Sequence, residues 1–311
     1  MLVLTSVPDL ARVPGPVVLA VGVFDGIHLG HQAVVSTALD LAGMIDGTMA
    51  LATFEPHPAR VLRPETAPYV LTSLPHKKLL AARLGVGHML IVPFTRALAN
   101  EEPSSFVESL VRAARPLGGI VCGADFAFGR GRSGNPALLA ALGETHGFRV
   151  LPVAPVLLDG ERISSTRLRQ AVRTGDFALC RRLLGREHSV LGTVVEGRRL
   201  GRSLGFPTAN LSVHSELLPP DGVYAVQVRV DDRRFGGVAN QGIRPTVEAP
   251  GAVRRILEVH LFDFAGDLYG RDIEVRFVRF LREERAFANL DELSAAIHAD
   301  AEAARQALAV G

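Results

Sequence analysis

Tryptophan is absent from the 311 residues, tyrosine occurs three times, and cysteine twice, at Cys122 and Cys180. Two cysteines supply neither a disulfide framework nor a metal cluster, and the cytoplasm is the expected compartment. Lysine is nearly missing as well: of 34 basic residues only Lys77 and Lys78 are lysine, which leaves 32 arginines. Guanidinium forks grip phosphate well, but so skewed a ratio is a mark of genomic base composition. The formal net charge of +2 is too small to argue for a nucleic-acid partner. Few Trp and Tyr also leave bases little to stack on. No apolar run reaches the ~18 residues that cross a bilayer. Met1 to Gly15 hold Asp9, a single Arg12 and prolines, which is not the build of a signal peptide. Neither a membrane nor a nucleic acid is therefore expected as partner, and nothing in the sequence fixes an oligomeric state.

What is present is a globular composition, 48% hydrophobic and 21% charged, in a chain long enough for two domains with a core each. One stretch stands out, Gly22-Val-Phe-Asp-Gly-Ile-His-Leu-Gly-His-Gln32. An apolar run ahead of it, Val17 to Val23, reads as a buried strand, and Ala33 to Ala42 after it reads as a helix. Ligands of parallel α/β units sit at such strand-to-helix turns. Gly26 and Gly30 allow close approach of the backbone to a ligand. The helix start offers free N–H groups and a partial positive charge suited to phosphate. His28 and His31, three apart, share a face there, and two imidazoles on such a terminus suit a phosphoryl transition state.

The first half alternates apolar strands (17–24, 49–54, 89–93, 119–122, 148–153) with helices (32–42, 74–84, 103–114, 136–146, 166–173), so a parallel sheet with right-handed crossovers is expected. Polar and glycine signals gather after the strands: Thr53-Phe-Glu-Pro-His-Pro58, then Gly123-Ala-Asp-Phe-Ala-Phe-Gly129, then Ile163-Ser-Ser-Thr-Arg-Leu-Arg169. Ser164 and Ser165 suit plain helix caps; with Thr166 and Arg167 they equally suit a polyphosphate clamp.

The turn carries the H-x-G-H pattern of the nucleotidyltransferase superfamily, and the four strings together resemble the adenylyltransferase domain of bacterial bifunctional riboflavin kinase/FAD synthetases. That resemblance implies a Rossmann-like α/β domain over residues 1–185 that transfers AMP from ATP to FMN, giving FAD and pyrophosphate. It implies that His28 and His31 contact the ATP phosphates and that Ser164, Thr166 and Arg167 clamp them. Gly22, Phe24, Asp25, Gly30 and Asp125 would then line the nucleotide site, and Glu55, Phe126 and Phe128 the flavin site. Glu55 stands where many relatives have Asp.

Thr174 to Gly185 reads as a short helix with Asp176 near its cap and Gly185 at its end. From Val190 the pattern changes to short β segments (191–196, 223–230, 235–240, 256–262, 273–280), which suggest an antiparallel barrel, and a final amphipathic helix, Leu290 to Ala309, should cover one face. Gly197-Arg-Arg-Leu-Gly-Arg-Ser-Leu-Gly205 is rich in glycine and arginine but lacks the lysine pattern of a P-loop. In Phe206-Pro-Thr-Ala-Asn210, Thr208 and Asn210 are two apart and face the same way. Both carry hard oxygens suited to magnesium, or they belong to a strand that ends in a turn. Glu258 lies inside an apolar strand, so it is either at a sheet edge or functional.

The strings G-F-P-T-A-N, Gly237 to Thr246, E-V-H at 258–260 and G-D-L-Y-G at 266–270 resemble riboflavin kinase. The resemblance implies an antiparallel β-barrel domain with a C-terminal helix over residues 186–311. It implies that Thr208 and Asn210 hold Mg²⁺ with ATP, and that Gly197, Gly201, Arg202 and Gly205 belong to a loop over the phosphates. Glu258 would be the base for the 5′-hydroxyl of riboflavin, and Asn240 and Arg244 would lie close to flavin or nucleotide. Gln241 stands where relatives often have an apolar residue. A class I aminoacyl-tRNA synthetase fragment shares the H-x-G-H turn but needs a lysine-bearing loop, and Lys77 and Lys78 are in the wrong context. A nucleotide sensor fused to an RNA-binding barrel would need basic patches interleaved with aromatics.

Overall fold

The computed structural model describes residues 1–197, 205–214, 217–245 and 253–309. The chain divides into two compact units, Met1–Val70 with Lys77–Ser165, and Leu71–His76 with Thr166–Gly311.

In the first unit the strands are β1 (Leu2–Leu4), β2 (Val17–Val21), β3 (Thr48–Glu55), β4 (His88–Pro93), β5 (Leu117–Gly123) and β6 (Arg149–Val153). They form one sheet in the order β1-β4-β3-β2-β5-β6, parallel throughout. Every residue of β2 is buried, as its unbroken apolar run requires of a strand covered on both faces. From β2 the chain steps outward to β3 and β4, then returns to lay β5 on the other side of β2. The sheet therefore has its switch point between β2 and β5, where a crevice opens beyond the strand ends.

The helices of this unit are α1 (Leu29–Met44), α2 (Pro58–Leu62), α3 (Leu74–Arg83, counted here from Lys77 onward), α4 (Arg96–Ala99), α5 (Pro103–Ala113) and α6 (Pro136–His146). A two-stranded hairpin, β7 (Leu157–Leu158) with β8 (Glu161–Arg162), follows the sheet. The helix ends obey local rules. Asn135 caps α6 by accepting from the Leu138 N–H at 2.9 Å, and Gly147 closes it in the left-handed region at φ 77°. The strand expected over 17–24 stops at Val21, because Phe24 (φ 53°), Gly26 (φ 88°) and Ile27 (φ 42°) leave the extended region. The edge strand β1 went unread because three residues carry no period.

Besides Leu71–His76, the second unit holds α7 (Ser165–Thr174) from Thr166 onward and α8 (Phe177–Leu184). Asp176 caps α8, accepting from the Leu179 N–H at 2.9 Å, and Gly185 ends it at φ 67°. Strands β9 (Ser189–Val195), β10 (Ala209–Val213), β11 (Gly222–Val230), β12 (Arg233–Pro245), β13 (Val253–Leu261) and β14 (Asp272–Arg282) close into a barrel, order β10-β13-β12-β11-β14-β9, antiparallel at every ladder. Alternation along β11 decides the packing: Tyr224, Val226, Val228 and Val230 enter the barrel core, where Phe177 of α8 stacks on Phe277 at 5.7 Å. Outward-facing Ala225 packs with Phe262 and Ala304 under the last helix, α9 (Leu290–Ala309).

Candidate active sites

The first site is built on the turn that joins β2 to α1. His28 is the helix N-cap, and its Nδ1 accepts from the His31 main-chain N–H at 3.3 Å. An acceptor Nδ1 carries no hydrogen, so neutral His28 bears its proton on Nε2. The two imidazoles stack with centroids 3.7 Å apart and planes 14° from parallel. A Cβ on Gly30 would sit 3.2 Å from the His28 ring, so this glycine leaves the ring its place. Phe24, fully buried in spite of its positive φ, sets its ring 5.2 Å from that of His31.

Side chains from elsewhere hold three carbonyls of the turn. Val23 O accepts from Thr53 Oγ1 (2.9 Å) and Lys77 Nζ (2.8 Å), Asp25 O from Ser165 Oγ (2.9 Å), and Ile27 O from Gln32 Nε2 (3.0 Å). Burial holds His31 well below the ordinary histidine range, and the charge that His28 would carry if protonated, with those of Lys77 and Arg162, presses the same way. His31 is therefore neutral at pH 7.

A pocket of about 550 Å³ opens above this turn. Of the residues expected at a site, Gly22, Phe24, His28, Gly30, His31, Asp125, Phe126, Phe128 and Ser164 line it. Phe126 and Phe128 stack at 5.3 Å and give it an aromatic wall. Asp125 pairs with Arg162 at 2.7 Å, and that hydrogen bond holds the Asp125 carboxyl below its usual range. Four other expected residues are not among those that line it. Asp25 is buried and takes part through its carbonyl, Glu55 ends β3 without lining the pocket, and Thr166 and Arg167 lie in the first turn of α7, within the second unit.

The second site lies on the outer face of the barrel. Glu258 of β13 stands opposite Asn210 of β10 on one side and opposite Asn240 of β12 on the other. Directly paired residues share a face, so the three polar side chains form a row. Their strand neighbours Leu211, Leu257, Val259 and Ala239 are buried in the core on the opposite face. Strand β13 has a partner on each side, which removes the edge explanation for Glu258. A Cβ on Gly197 would fall 2.0 Å from Asn210 Nδ2, so the Asn210 amide occupies the space that this glycine leaves. Thr208 sits just before β10. The preceding Pro207 carbonyl lies 2.9 Å from His260 Nδ1, and Phe206 meets the edges of His260 and His298 at 5.1 and 4.7 Å. Asn240 Nδ2 donates to Glu284 Oε1 at 3.3 Å. Gly205 adopts φ 80°. Gly201 and Arg202 lie outside the described residues, as does the side chain of Arg244, whose backbone is in β12.

Comparison with known proteins matches each half separately. The family model for FAD synthetase covers residues 11–167, and that for riboflavin kinase covers residues 184–308. A bifunctional riboflavin kinase/FMN adenylyltransferase from Pseudomonas fluorescens is 41% identical over 93% of this chain and 92% of its own. The protein of the same name from Escherichia coli strain K12 is 38% identical over 98% of this chain and 97% of its own. The chain belongs to the bifunctional riboflavin kinase/FMN adenylyltransferase family. Its fold also matches, with a TM-score of 0.80 and 28% identity, the crystal structure of a macrolide-efflux protein from Streptococcus pneumoniae, over 98% of this chain and 99% of that one.

Sequence reasoning missed Lys77 and Arg162 as members of the first site; it singled out the strings that hold Thr53 and His260 but gave neither residue a role. Lys77 did carry a signal, as one of two lysines in the chain, set on an otherwise largely apolar helix. Arg162 carried none, since an arginine beside a tight hairpin is ordinary.

Proposed function

We propose that the two constellations divide the family's work, with residues 186–311 phosphorylating riboflavin to FMN and residues 1–185 joining AMP from ATP to FMN. This is a division by chemistry; the packing boundary falls earlier, at Ser165. The observation that carries it is that each half has a polar constellation of its own: stacked His28 and His31 at a helix start, and Asn210, Glu258 and Asn240 in one register row.

In the kinase step Glu258 takes the proton of the riboflavin 5′-hydroxyl, whose oxygen attacks the γ-phosphorus of ATP while ADP leaves. A positioned base of this kind contributes roughly 10²- to 10⁴-fold. Thr208 and Asn210 offer neutral hard oxygens. Among the described residues no group of three or more His, Cys, Asp or Glu stands ready for a cation, so Mg²⁺ fits here only where ATP oxygens supply most of its ligands. Bound there, Mg²⁺ would neutralise phosphate charge, and Gly197 leaves Asn210 room to reach it.

In the adenylyl step the FMN phosphate is already ionised at pH 7 and needs no base. Its oxygen attacks the α-phosphorus of ATP, and pyrophosphate leaves. The chain's part is alignment, with a ceiling of about 7–11 kcal/mol, and stabilisation of the charge that builds on the phosphoryl oxygens. Neutral imidazole N–H groups on His28 and His31 donate to those oxygens, Ser164 steadies the polyphosphate, and Phe126 and Phe128 supply stacking surface for the flavin. The need for ATP as co-substrate supports a cytoplasmic reading. Among the described residues no helix is long and apolar enough to cross a membrane.

The test is chromatography of flavin products from riboflavin, ATP and Mg²⁺. His31→Ala is expected to stop FAD formation, by about 10²- to 10³-fold, while FMN accumulates. Glu258→Ala is expected to stop FMN formation but leave FAD formation from added FMN. Loss of both activities in either variant, with circular dichroism unchanged, would refute the division.

A further inference from the structure

Lys77 is 4% exposed, and its hydrogen-bond partners among the described residues are neutral oxygens, Val23 O at 2.8 Å and Thr53 Oγ1 at 3.1 Å. Burying an ammonium without an ion pair in contact is costly. The Val23 carbonyl does not need it, because the Thr53 hydroxyl already donates there at 2.9 Å. A neutral side chain could fill the position at less cost, so the charge itself requires an explanation. Its surroundings offer one. Val23 begins the turn whose far end carries the stacked histidines. Burial lowers the Lys77 ammonium below the ordinary lysine range, the carboxylates of Asp25 and Glu55 oppose that shift, and the ammonium in turn acts on His31.

We propose that Lys77 is a positioning residue of the adenylyl-transfer site: its buried ammonium fixes the start of the turn at the Val23 carbonyl and supplies a fixed positive charge behind the phosphate-facing histidines. The proposal rests on the reading of that turn as the ATP site. The charge acts in two ways. It adds to burial and to His28 in holding His31 in the neutral form, and it offsets negative charge that arrives with the polyphosphate from the far side of the turn. A donor without charge would do neither.

The test uses the full chain, with riboflavin phosphorylation as an internal control for folding. Lys77→Met is expected to lower kcat for FAD formation from FMN by about 10²-fold and to leave FMN formation unchanged. Nuclear magnetic resonance of the histidine ring protons should show His31 taking up its proton at higher pH than in the parent. Thr53→Val removes a donor from the same carbonyl but keeps the charge; it should leave the His31 titration where it was and cost far less activity. Lys77→Gln, which keeps a donor and loses the charge, serves the same purpose if methionine is not tolerated. Full adenylylation in folded Lys77→Met or Lys77→Gln overturns the proposal. So does an equal loss in Thr53→Val with an unmoved His31, since Lys77 would then be a prop only. If His31→Ala is itself fully active, the reading of the turn has failed; if His31→Ala is inactive and the Lys77 variants are not, only the role of Lys77 has.

Discussion

Gln241 shows what a single misplaced polar group does to a barrel. Its side chain is fully buried, and neither amide atom has a hydrogen-bond partner among the described residues. The register sets it between Gly222 of β11 and Leu257 of β13, on the core face. An amide left unpaired in such a place costs about 1–3 kcal/mol. Methionine has nearly the same length, no polar atoms to satisfy, and enough flexibility to fill an irregular gap. Gln241→Met is therefore expected to raise the stability of the second unit by about 1–2 kcal/mol, read as a higher urea midpoint with an unchanged slope. A lower midpoint would mean that the amide has work to do. The residue scale also marks the limit of sequence reading. His28 and His31 declare themselves by spacing on a helix start, and so does Ser164. Lys77 and Thr53 do not, because they reach Val23 across 54 and 30 residues of chain, and no local pattern records a contact of that separation.

At the scale of elements, β9 and β10 decide whether the second site exists. They pair through Asn210↔Val195, and the chain leaving β9 passes Gly197 directly against the Asn210 side chain. A methyl group at 197 cannot share that space at 2.0 Å. The group in its way is the end of a short side chain and not backbone, so Asn210 would swing aside and the strands would stay. Gly197→Ala is thus expected to fold normally, to lose roughly 10²-fold or more in kcat/KM for riboflavin phosphorylation, and to make FAD from FMN at the parent rate. Unfolding in place of a selective loss would show that the contact is structural. Element types were legible in advance wherever a period ran long enough. The strand–helix alternation of the first half and the β-rich second half follow from residues such as Val17–Val21 and Tyr224–Val230, whose burial repeats every residue or every second one. The order of strands was not legible, because pairing is decided by packing between segments. Strand β10 was legible only as an extended segment ending at Asn210, short of its true course to Val213: its five residues are mostly half-buried, so apolar alternation is weak there. On the proposed division of labour that weakness is itself a signal, since Asn210 would spend a strand position on chemistry.

For the whole molecule the decisive quantity is the origin of two phosphorus atoms. FAD made from riboflavin contains one phosphorus next to the riboflavin and one next to the adenosine. If the second unit attacks ATP at its γ-phosphorus and the first attacks at its α-phosphorus, these two atoms come from opposite ends of two different ATP molecules. FAD formed from riboflavin should then carry label from γ-labelled ATP and from α-labelled ATP, in equal molar amounts. FAD formed from unlabelled FMN should carry the α label alone, with the β and γ phosphorus atoms leaving together as pyrophosphate. The two variants separate the sources. His31→Ala should yield FMN bearing the γ label and no FAD, and Gly197→Ala given FMN should yield FAD bearing only the α label. A single shared nucleotide site would couple the two labels, so that one substitution removed both. Each unit has its own core, the first around β2 and the second inside the barrel, and a chain that matches its relatives over more than nine-tenths of their length has both constellations to label. Absence of the γ label from FAD made from riboflavin would remove the kinase from the molecule, and absence of the α label would remove the adenylyltransferase.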